Sequence, residues 1–170
     1  MEAFPALVAA LHADRARFVL IGVWAANLHA RSAAAVFATQ DYALFLPAEV
    51  DNVLLVWRTC ESMGLELLSG DEPLDKPRDR LLAERVVQSR ALVRATDRQG
   101  LDVDLTLVME GFSFDEVWAG RRVYLLEGVE VPVARLSHVV RSKAAAGRPK
   151  DLLFLATHEE ALSALLERED

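Results

Sequence analysis

Cysteine is nearly absent: Cys60 stands alone in 170 residues. No internal disulfide can form, and the composition fits a reducing, cytoplasmic setting. Basic charge is also short, with 19 Lys and Arg against 26 Asp and Glu for a net charge of −7. Phosphate neutralisation dominates nucleic-acid affinity, so an RNA partner is disfavoured. The four histidines, His12, His29, His138 and His158, have no zinc spacing among themselves or with Cys60. No apolar run reaches the ~18–20 residues of a membrane span, which leaves no membrane role to expect. The opening stretch MEAFPALVAALHADR has an acid at position 2 and no basic region ahead of it, so it reads as a helix and not a signal peptide. Tryptophan is sparse, and Trp24, Trp57 and Trp118 fall in three separate elements, as core anchors do and a base-stacking platform does not.

Apolar residues, by contrast, are plentiful. At 52% they exceed the usual ~45–50%, enough for one domain over residues 1–170 and a hint of surface reserved for a protein partner or a second copy. Leu7, Val8 and Leu11 recur at helical spacing within 3–16, and RFVLIG (17–22) reads as a short buried strand ending on glycine. An Ala-rich stretch from Val23 to about Val36 favours helix. TQDYALFL (39–46) follows as a strand, with Tyr42, Leu44 and Leu46 on one side and Asp41 and Ala43 on the other. Residues 49–64 put Val53, Leu54, Trp57 and Cys60 on one helix face, closed by Gly64. SGDEPLDKPRDR (69–80), dense in charge and holding Pro73 and Pro77, reads as a mobile loop. SRALVRAT and GLDVDLTLV flank DRQG as an antiparallel hairpin, Ser113 and Glu116 have capping-box spacing, and RRVYLLEGVEVPVA forms a second hairpin turning at Glu127-Gly128. Two helices, 136–146 and about 149–167, close the chain, parted by Gly147 with Pro149 near a first-turn position. The expected architecture is α/β: a small mixed sheet with helices over residues 1–134 and a helical closure over 135–170.

Period two puts Asp102, Asp104 and Thr106 on one face of their strand. Neighbouring carboxylates repel unless water, a cation or a basic side chain neutralises them. The face is therefore either an exposed rim or, with Asp41 on an adjacent strand, a converging acid cluster for a divalent ion.

The order of these features resembles the small bacterial nucleotidyltransferase-fold proteins, relatives of the DNA polymerase beta superfamily and of the nucleotidyltransferases of toxin–antitoxin and abortive-infection systems. The likeness is carried by the strand ending at Gly22, AANLHA, the Thr39-x-Asp41 strand, the VDL strand, FDEVW, and the tail from Lys143 through AGRPKDL. In that family a glycine followed by Gly or Ser holds phosphates, and an Asp-x-Asp pair with a third Asp on a later strand binds two Mg²⁺ ions with the nucleotide. The resemblance thus assigns catalytic and metal roles to Asp41 and Asp104, with Asp102 as an auxiliary acid, and nucleotide contacts to Gly22, Val23, Thr39 and Lys143. Lys143, Arg148 and Lys150 could contact phosphate, or Lys143 could lie along its helix while Arg148 ties the last helices together through Asp151.

The match fails on the nucleotide and metal side. Ala43 replaces the second acid, Val23 the second small residue, Phe37 a common arginine, and Ala30 the glycine after His29. Two readings follow. The first is a degenerate nucleotidyltransferase-like protein, its NTP–Mg chemistry impaired or lost, acting by binding a companion protein, its own copy or, disfavoured by charge, an RNA. The second is an active enzyme moving a nucleoside monophosphate onto a protein, tRNA or small hydroxyl acceptor, with Mg²⁺ on Asp41 and Asp104.

Overall fold

A computed structural model describes residues 1–30, 37–39 and 41–169. In chain order the elements are α1 (Ala3–Ala13), β1 (Val19–Ile21), α2 (Gly22–Ala30), β2 (Tyr42–Phe45), α3 (Val50–Ser62), β3 (Glu66–Ser69), β4 (Glu72–Pro73), α4 (Arg80–Ser89), β5 (Val93–Thr96), β6 (Asp102–Thr106), α5 (Phe114–Ala119), β7 (Arg122–Leu126), β8 (Val129–Val133), α6 (Leu136–Ala146), α7 (Pro149–Thr157) and α8 (Glu159–Glu167). The strands form one mixed sheet in the order β4-β3-β5-β6-β2-β1-β8-β7. β2 pairs antiparallel with β1 and parallel with β6, which pairs antiparallel with β5.

The sheet is mixed, as expected, and wider than expected. α1 buries Phe4, Leu7, Val8 and Leu11 along one stripe and packs on β8 and α3. α3 buries Val53, Val56, Trp57 and Cys60 and packs on β3 and α4. On the other side a second, smaller core joins Ala26, Ala30 and Phe37 to Leu136, Leu162 and Leu165, so the C-terminal helices rest on α2.

Two expectations are corrected. Residues 69–80 are not one uninterrupted loop: a turn at 70–71 joins β3 to the two-residue β4, residues 74–79 are irregular with Leu74 buried, and Asp79 caps α4 by accepting a hydrogen bond from the Leu82 N–H at 3.1 Å. Apolar spacing in this segment was hidden by its charges. The closing helix is two helices, broken at His158, whose ring packs on both Phe37 and Phe154. The helix expected to reach Val36 is described as far as Ala30, and residues 31–36 lie outside the described residues.

Two polar clamps hold the second core. The buried amide of Asn27 donates to the Phe37 carbonyl at 2.9 Å and accepts from the Phe37 N–H at 2.6 Å, fixing where the chain returns toward β2. The Glu169 carboxylate accepts from the Leu136 and Ser137 N–H groups at 2.6 and 2.9 Å, capping α6 with a charge of the sign its N-terminus favours. Beside it His29 Nε2 meets the Ala134 carbonyl at 2.8 Å, so that nitrogen carries the proton and Nδ1 accepts from the Tyr124 hydroxyl at 2.8 Å.

Asn27→Ala leaves both Phe37 backbone groups unpaired in the interior, and urea denaturation is expected to show a loss of roughly 2–5 kcal/mol. Burial lowers the His29 pKa from 6.5, outweighing the upward pull of the Ala134 bond and the Glu169 charge. The unfolded chain therefore gains a proton that the folded one refuses. Stability is full above about pH 6.5 and falls as pH drops from there through the folded-state value. His138, also lowered by burial, adds to the same window, so the measurement is the difference in slope between wild type and His29→Gln, which should be shallower.

Candidate functional site

Gly22 closes β1 and opens α2 at φ +74°, a backbone position that side-chain-bearing residues rarely adopt. A Cβ there would lie 3.8 Å from the Ala43 Cβ, so Ala43 faces the glycine turn across the β1–β2 pair. The parallel pairing of β2 with β6 sets Ala43 beside Asp104, and the antiparallel pairing of β6 with β5 sets Arg94 on the other side of Asp104. Residues 43, 104 and 94 thus form one row across the sheet. Asp41 sits just before β2, on the face shared by Ala43 and Asp104.

Arg94 joins the two acids. Its Nε donates to Asp104 Oδ1 at 2.9 Å and its Nη2 to Asp41 Oδ2 at 3.2 Å. The hydrogen bond to Asp104 raises the Arg94 pKa against an opposing pull from burial, and the charges of Asp104, Asp41 and Asp102 add to it. Thr39 donates its hydroxyl to the Asp41 carbonyl at 3.3 Å, which steadies the approach to β2.

Ala43 and Asp104, with Asp41, stand on one wall of an open cleft of about 900 Å³ between the sheet and helices α6 and α7, while Arg94 lines the adjoining hollow. The cleft brings together Gly22, Val23, Thr39, Asp41, Asp104 and Lys143. Asp102, the auxiliary acid, lies instead in an adjoining hollow with Arg98 and Thr96, and Asp104 and Leu92 border both.

The far wall holds a second ion cluster. Asp151, whose side chain is 1% exposed, accepts from Arg148 Nε at 2.6 Å and Nη2 at 3.3 Å, and from Lys143 Nζ at 3.4 Å. Burial lowers the Lys143 pKa, opposed by Asp151. Burial pulls the Asp151 pKa upward, but the Arg148 hydrogen bond and the two positive charges outweigh it and hold the carboxyl below its ordinary range. Lys143 also lies over the Phe154 ring at 5.0 Å. Each wall of the cleft therefore carries its own counter-charge.

Phe37 is buried edge-on against Phe154, and His29 serves the clamp beside α6. Arg94 was missed by the sequence reading: counting back from a four-residue turn at 97–100 sets Arg94 opposite Val103, and the observed loop, in which the Asp97 N–H donates to the Leu101 carbonyl, shifts it by one residue to face Asp104.

A divalent ion such as Mg²⁺ needs a near-octahedral oxygen shell at ~2.0–2.1 Å. Asp41 and Asp104 supply carboxylates already bridged by a guanidinium, and Ala43 supplies nothing. This donor set does not fit a divalent ion as arranged, and among the described residues no group of three or more His, Cys, Asp or Glu could hold a metal. No protein-family model matches this chain, and no curated protein is significantly similar to it.

Asp151→Asn leaves the largely buried Lys143 ammonium facing a neutral amide, while Arg148, 59% exposed, stays in water. Breaking a buried pair this way typically costs ~3–5 kcal/mol. Chemical denaturation should show a loss of that size, with the helix signal of the folded state preserved.

Proposed function

We propose that this chain is a nucleotidyltransferase-like protein that no longer carries out NTP–Mg chemistry and acts by binding a protein partner over the cleft. The observation that carries this reading is the Arg94 guanidinium seated between Asp41 and Asp104, the two acids to which the family resemblance assigns Mg²⁺. Val23 after Gly22 adds to it, since a branched side chain stands where a hydroxyl or bare backbone would meet phosphate. On the far wall, Asp151 already engages Lys143 and Arg148, so their charge is offset before any triphosphate arrives.

The partner half of the reading is supported by the lip of the cleft. Leu92, Val108 and Leu153 line it and are 50%, 41% and 68% exposed. Large apolar side chains gathered at one concave place, rimmed by charge, mark interaction surfaces more than scattered ones do. Leu152, next along α7, is 51% exposed. No helix among the described residues is long and apolar enough to cross a membrane.

The test is thermal unfolding with Mg²⁺ or Mn²⁺ and each of ATP, CTP, GTP and UTP. A ligand at 100 times its Kd stabilises by ~2.7 kcal/mol, or about 5–10 °C for a chain of this size. No shift is expected with any nucleotide. A shift of that size with even one of them sinks the reading in favour of the active enzyme.

A further inference from the structure

We propose that Arg94 determines what this site accepts: its guanidinium is a tethered cation that guards Asp41 and Asp104 against divalent ions, so an acid restored at position 43 does not by itself restore a metal site. The inference rests on the nucleotidyltransferase-like reading for its choice of position 43, and it adds a second lock to the one that Ala43 represents.

The argument is geometric. Arg94 reaches two carboxylates with two different nitrogens, at 2.9 and 3.2 Å, and thereby occupies the space between them. A planar fork of donors is suited to bridging carboxylates, and it stays charged at any pH the fold tolerates. Position 43 is the neighbour of Asp104 on the side away from Arg94, in the same cross-sheet row. An aspartate placed there adds a third carboxylate around a cation already in place. The nearest positive charge would compensate it, and the guanidinium would be held more firmly than before. A divalent ion can take these oxygens only once Arg94 has swung away. Removing Arg94 alone opens the space but leaves Ala43 without a ligand. The two changes are therefore coupled, each nearly silent without the other.

The experiment titrates Mn²⁺, with no nucleotide present, into wild type, Ala43→Asp, Arg94→Gln and the double variant. Free Mn²⁺ is read by electron paramagnetic resonance, and each protein is checked for native circular dichroism. Ala43→Asp and Arg94→Gln should each stay within about threefold of wild type, while the double variant should bind about tenfold tighter or more than either single, an excess over additivity. Ala43→Asp binding as tightly as the double variant would overturn the proposal, as would wild type doing so, or a folded double variant no better than wild type. Arg98→Gln, which removes a nearby charge paired with Glu66 at 2.7 Å, serves as a control and should not substitute for Arg94→Gln. If Arg98→Gln works equally well, general charge and not occupancy is responsible, and the proposal falls. Should Arg94→Gln fail to fold, Arg94→Lys takes its place: a single ammonium bridges two carboxylates poorly, so its combination with Ala43→Asp should still bind more tightly than Ala43→Asp alone, and equality overturns the idea. Failure in this metal-only titration leaves the functional reading standing, whereas stabilisation of wild type by a nucleotide with Mg²⁺ sinks that reading by itself.

Discussion

Carboxylates on one face of a sheet need a counter-charge, and here a side chain of the neighbouring strand supplies it. The β5–β6 hairpin register puts Arg94 opposite Asp104, and the parallel β2–β6 pairing brings the Asp41 segment alongside. Folding the sheet and neutralising the acids are consequently one event. In a site that relies on a bound ion, the acids stay mutually repulsive until the ion arrives, and part of the binding energy relieves that strain. Here Arg94 relieves that repulsion from within the chain.

The same economy recurs on the opposite wall. Asp151, deeply buried, takes the positive charges of Lys143 and Arg148, and the resulting cluster joins α6 to the start of α7. Around the corner Glu169 caps α6 and approaches His29 to 4.0 Å, while Phe37 and His158 fill the space between α2 and the closing helices. These polar and aromatic side chains serve cohesion. The acids and bases on the two walls are paired within each wall, and Leu92, Val108 and Leu153 line the cleft as exposed apolar side chains.

Periodicity made much of this fold legible. Period two located both hairpins and the face shared by Asp102, Asp104 and Thr106, and helical spacing located α1, α3 and α6. The β3–β4 hairpin was illegible because Glu72, Pro73 and their charged neighbours masked two buried leucines, Leu68 and Leu74. The break at His158 carries no proline or glycine. It comes from an aromatic cluster with Phe37, far away in sequence, which no local pattern encodes. In the site, Gly22, Asp41, Ala43 and Asp104 were named through the resemblance, and the strand pattern alone left open whether Asp41 and Asp104 converge. The role of Arg94 needed register: one residue of slip would point its side chain to the other face.

The most direct measurement is the Nε–Hε NMR resonance of Arg94, assigned by its loss in Arg94→Lys and followed as millimolar MgCl₂ is added. A guanidinium fixed between Asp41 and Asp104 should give a protected, slowly exchanging signal that Mg²⁺ does not move. A saturable shift, or loss of protection as the ion enters, would show that Mg²⁺ displaces the arginine from between the acids, and would contradict the claim that this chain fills the place of the metal with its own side chain.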